Sequence, residues 1–70
     1  RGMLDIEAER QRLQRELEEL LAELERTRAL LANEQFVTRA PAHVVERQRT
    51  KLADTEERVQ LIQQRLEELA

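Results

Sequence analysis

Asn33-Glu34-Gln35-Phe36-Val37-Thr38-Arg39-Ala40-Pro41 is where the helical pattern of this 70-residue chain stops and then begins again. Pro41 is the only proline. It disfavours helical geometry in Ala40, and it suits the first position of a helix, where its missing N–H costs nothing. The stretch therefore reads as a short non-helical joint. Short joints between long helices make the helices antiparallel neighbours. The fold predicted is all-α, an antiparallel two-helix coiled-coil hairpin with helices over about 5–32 and 41–69 and a tip at 33–40.

Outward from the joint, apolar residues recur at alternating three- and four-residue steps, the a/d seam of a supercoiled pair. On the first helix they are Met3, Ile6, Leu13, Leu17, Leu20, Leu24 and Leu31, with Arg10 and Thr27 filling two slots. On the second they are Val45, Leu52, Val59, Ile62, Leu66 and Leu69, interrupted by Gln48 and Thr55. Asp5 is the expected first cap, with Glu7 and Glu9 at the positive end of the helix dipole. Each helix of about 28 residues would be roughly 40 Å long. The preferred register pairs Met3 with Leu69, Ile6 with Leu66, Leu13 with Val59, Leu20 with Leu52 and Thr27 with Val45. A register shifted by one heptad pairs Leu13 with Leu66 and Leu20 with Val59, and leaves Met3 and Ile6 without partners.

Composition narrows the function. Charged residues make up 39% and aromatics 1%, the usage of a coiled coil rather than of an ordinary globular core. A two-helix chain this short buries little and is marginal alone, so a part of a larger protein, or a self-pairing chain, is expected. Arg1-Gly2 reads as a cut inside a longer chain. The absence of cysteine rules out disulfides and thiolate metal sites. No apolar run reaches the roughly 20 residues of a membrane span, and no signal peptide is evident, so the expected setting is cytoplasmic, with no membrane partner.

Charge is distributed unevenly. From Arg26 to Lys51 there are six basic residues and two acidic ones, Glu34 and Glu46, a balance of +4; the remainder carries six basic and thirteen acidic, a balance of −7. A cationic tip on an anionic root suggests a polyanionic partner at the far end. The candidate contacts are Arg26, Arg28, Arg39, Arg47, Arg49 and Lys51, whose neighbouring acids look too few to neutralise them, with His43 beside them. Phe36 either stacks on an exposed base or seals the apolar seam together with Val37. Glu-rich stretches such as Glu16-Leu17-Glu18-Glu19 read as solvated helix faces and imply no acid–base chemistry. No catalytic constellation is visible: His43 is the only imidazole, and Gly2, the only glycine, makes no phosphate loop.

The segment Leu31-Ala32-Asn33-Glu34-Gln35-Phe36-Val37-Thr38-Arg39-Ala40-Pro41-Ala42-His43-Val44-Val45-Glu46 resembles the hairpin tip of the C-terminal arm of bacterial-type valyl-tRNA synthetases. Gly2 to Glu9 also looks like the point where that arm leaves the anticodon-binding domain, so the likeness runs from Gly2 to Leu69. Gln35 stands where the family often has glycine, and Arg39 where lysine is more usual. The resemblance implies an arm that contacts the outer corner of valine-specific tRNA, where the D and T loops meet, and orients it for aminoacylation. It implies that the fragment is not itself an enzyme and holds no cofactor, with ATP bound in the parent ligase's catalytic domain. The rest of the synthetase is then a partner in cis. Two other readings stay open. One is a self-associating structural coiled coil without a nucleic-acid partner. The other is the arm of another synthetase such as the seryl enzyme, whose tip lacks this Phe-Val, Ala-Pro, Val-Val pattern.

Overall fold

The computed structural model describes residues 2–70; Arg1, read above as the edge of a cut, lies outside them. Every described residue except Gly2, Asn33, Ala40, Pro41 and Ala70 is helical. The elements are α1 (Met3–Ala32), α2 (Glu34–Arg39) and α3 (Ala42–Leu69). The molecule measures 53 × 14 × 14 Å. A single helix of 70 residues would be about 105 Å long, so the length alone excludes one unbroken rod.

α1 starts two residues earlier than Asp5. Gly2, in an extended conformation, occupies the cap position, and its carbonyl accepts from the N–H groups of Asp5 and Ile6. Asp5 lies inside the first turn, where a carboxylate still favours the positive end of the helix. At the other break Pro41 is the cap of α3 rather than its first helical residue, extended at φ −57° and ψ 146°. Its carbonyl receives the N–H groups of Val44 and Val45. The larger difference lies between the breaks. The joint expected to be non-helical contains α2, six residues long and started by Asn33, whose side chain accepts from Gln35 and Phe36.

The core is a narrow strip between α1 and α3. Leu13 and Leu24 are buried on one helix, and Val45, Val59 and Ile62 on the other, with Ile62 only 2% exposed. Two threonines share the strip. Thr27 Oγ1 donates to the Glu23 carbonyl at 3.0 Å, and Thr55 Oγ1 donates to the Glu23 carboxylate at 3.4 Å. Among the described residues no buried side-chain nitrogen or oxygen lacks a hydrogen-bond partner.

Carboxylates of α1 meet cations of α3 in a fixed order. Glu9 pairs with Arg65 at 3.1 Å, Glu16 with Arg58 at 2.9 Å and Glu23 with Lys51 at 3.4 Å, so each step up α1 is a step down α3. These pairs, with Arg28 to Glu56 at 2.9 Å, correct the preferred register. That register puts Arg28 level with residue 44, twelve residues from Glu56, a gap of roughly 18 Å that two side chains do not span. It also buries Met3 against Leu69, whereas Met3 and Leu4 are each 86% exposed. The helices are displaced toward the shifted alternative, which leaves the first turns of α1 without a partner.

Candidate nucleic-acid interface

The residues singled out from sequence lie around the joint. Arg26 and Arg28 are in the later turns of α1, Phe36 and Arg39 are on α2, and His43, Arg47, Arg49 and Lys51 are in the first three turns of α3. Measured along their helices, all stand within about 14 Å of a helix end at the joint. The seven charged or titratable members are exposed, and Phe36 is half-buried, as is Val37.

Their electrostatics divide them into two groups. Arg28 is held by Glu56, Lys51 by Glu23, and Arg49 by Glu46 at 3.6 Å. The expectation that neighbouring acids are too few to neutralise the cluster is therefore corrected for Arg28, Arg49 and Lys51. Two of the three neutralising acids come from the facing helix, where a search along one helix does not find them. Among the described residues Arg26, Arg39 and Arg47 have no carboxylate within 4.0 Å. These three, with the exposed His43, are the uncompensated positive groups at the joint. An unpaired guanidinium offers its planar set of donors to phosphate at no cost of breaking an existing ion pair.

The joint is held in shape by short-range bonds. The side-chain oxygen of Asn33 accepts from Gln35 N–H at 3.0 Å and from Phe36 N–H at 3.3 Å. Thr38 Oγ1 donates to the Glu34 carbonyl at 2.8 Å, and the Ala40 N–H to the Phe36 carbonyl at 2.9 Å, closing α2. Arg39 therefore leaves the molecule from the last residue of a capped helical turn.

Toward the opposite end Arg58 and Arg65 of α3 are both matched across to α1, while Arg15 of α1 has no carboxylate within 4.0 Å among the described residues. Arg65 donates to both Glu68 and Glu9, and these bonds, the one to Glu68 first, push its guanidinium above the ordinary value. The sequence reading missed this ladder, although its signal was present. Glu9, Glu16 and Glu23 recur by sevens, as do Lys51, Arg58 and Arg65, so each set occupies one edge of its helix. The described residues contain no group of three His, Cys, Asp or Glu side chains placed to hold a metal ion. None of their helices is long and apolar enough to cross a membrane.

The family model described as "Valyl tRNA synthetase tRNA binding arm" matches residues 5–70. The chain belongs to this family. Among curated proteins it is similar to the valine–tRNA ligase of Geobacillus stearothermophilus, 46% identical over 68 residues, covering 97% of this chain and 8% of that protein. The valine–tRNA ligase of Syntrophotalea carbinolica is 39% identical over 69 residues, with 99% and 8% covered. That of Bacillus subtilis is 40% identical over 68 residues, with 97% and 8% covered. The chain thus spans about 8% of the length of these relatives. No solved structure matches it.

Proposed function

We propose that the chain is the tRNA-binding arm of a valine–tRNA ligase, built as an antiparallel two-helix coiled-coil hairpin with its joint turned toward RNA. The descending order of the Glu9, Glu16 and Glu23 pairs supports the hairpin. The observation that carries the function is the placement of Arg26, Arg39 and Arg47. They are unpaired and gathered at one end of a rod whose other end is acidic. A polyanion is drawn to that end and repelled from the rest.

In this reading the arm contacts the outer corner of valine-specific tRNA, where the D and T loops meet, through phosphates and shape. Phe36 either packs against the end of the core strip or stacks on an exposed base. The remainder of the ligase, joined in cis, binds ATP and forms the ester in the cytoplasm. The arm contributes tRNA affinity and orientation, with no catalytic residue and no cofactor of its own.

The test is charge reversal in the ligase. Arg39→Glu with Arg47→Glu raises KM for tRNA while valine activation, followed by pyrophosphate exchange, stays normal. Loss of activation would make the arm a structural part of the enzyme body and remove the reading. The competing account, a self-associating coiled coil, draws on the exposed Met3, Leu4, Leu21 and Leu61. It predicts association that persists or strengthens with salt, whereas phosphate contacts weaken steeply.

A further inference from the structure

Asn33 serves two helices at once. Its N–H donates to the Leu30 carbonyl at 3.2 Å, finishing α1, and its own carbonyl accepts from Val37 at 3.1 Å, starting α2. Its side-chain oxygen takes two further N–H groups, those of Gln35 and Phe36. The backbone at this residue is extended, φ −82° and ψ 108°. The neighbours do not impose the break. Ala29-Leu30-Leu31-Ala32 before it and Glu34-Gln35 after it are good helix formers, and no proline or glycine intervenes before Pro41. A side chain that offers the backbone another acceptor is what makes interruption favourable here.

We propose that Asn33 is a positioning residue for the RNA-binding end: its cap sets where Phe36 and Arg39 stand, without itself contacting RNA. This rests on the reading that the joint faces tRNA. With the cap removed, the interruption loses the acceptor that favours it, and a helix running on through residue 33 competes with it. Continued to Arg39, that helix carries the residue's Cα roughly 10 Å beyond Ala32 along the α1 axis. Only Ala40 and Pro41 then remain to reach α3, so the packing of α1 on α3 opposes the continued form. Cap and packing act together to hold the interrupted joint, and loss of the cap weakens that hold.

The test titrates valine-accepting tRNA with the intact chain and its variants at several salt concentrations, by fluorescence anisotropy. Asn33→Ala weakens binding about fivefold, the usual effect of a lost cap. It also lowers the slope of log affinity against log salt by about one, as one phosphate contact is misplaced. Asn33→Ser keeps an acceptor and restores both. Amide exchange of Gln35 and Phe36 accelerates in Asn33→Ala while Leu13 and Ile62 stay protected. The proposal is overturned by unchanged binding, by weaker binding at an unchanged slope (a direct RNA contact), by failure of serine to rescue, or by loss of protection throughout the core. Arg39→Gln separates the two levels. If it alters neither affinity nor slope, or if the unaltered chain binds no tRNA at low salt, the RNA reading of the joint is what fails.

Discussion

Replacing Ile62 with alanine tests whether the strip between α1 and α3 holds the fold. Ile62 is 2% exposed, so truncation removes about three buried carbon groups, worth roughly 2.4 kcal/mol at 0.8 kcal/mol each. A cavity normally adds to this. Here the strip is one side chain deep and solvent lies on both sides, so the site collapses and that addition is small. The better helix propensity of alanine returns a few tenths. A net loss of about 2 kcal/mol remains. For a two-helix chain of marginal stability that is most of the total, and it lowers the melting temperature by roughly 8–16 °C. Leu61, one residue earlier, is 51% exposed and supplies the control: Leu61→Ala costs less than about 1 kcal/mol. Circular dichroism at 222 nm through a thermal melt measures both. Equal shifts for the two variants, or a loss below about 1 kcal/mol for Ile62→Ala, would refute the assignment of this strip as the core.

Other perturbations follow from the ion pairs. Lys51→Gln and Arg28→Gln change the salt dependence of tRNA binding less than Arg39→Gln does, because carboxylates already hold the first two cations; equal slopes for all three contradict that division. A double-mutant cycle on Arg28 and Glu56 returns a coupling of about 0.2–1 kcal/mol, as for other half-exposed pairs, and a value above about 2 kcal/mol means that the pair is more enclosed than it stands. Thr27→Val leaves the melting temperature within a few degrees or raises it. The hydroxyl bonds only to a carbonyl of its own helix, so a large drop shows that this bond stabilises the fold.

The long helices were legible because their seams repeat over many turns, and Pro41 marks a boundary for steric reasons that need no tertiary context. α2 was not legible, since six residues from Glu34 to Arg39 show no apolar period and the cap on Asn33 depends on backbone geometry. The start of α1 moved from Asp5 to Met3 because an exposed helix end needs no side-chain cap when solvent is present. The register failed for a related reason. Apolar occupancy of every layer favoured matching Met3 with Leu69, yet the observed displacement leaves two turns of α1 overhanging. At the candidate interface the clustering of positive charge was visible in the order of residues from Arg26 to Lys51. Which cations are neutralised was not, because Glu23 and Glu56 lie on the opposite helix from Lys51 and Arg28.

The uniform sign along each edge of the Glu9–Arg65, Glu16–Arg58 and Glu23–Lys51 ladder also limits how two copies can join. Laying α1 of one molecule beside α1 of another along this edge faces glutamate with glutamate, and α3 beside α3 faces cation with cation. The arrangement that satisfies the ladder between molecules is a swap, each α3 leaving its own chain to lie on the neighbour's α1. Such a dimer would straighten residues 33–41 and dismantle the joint that carries Arg39, so swapping and the proposed tRNA contact exclude each other.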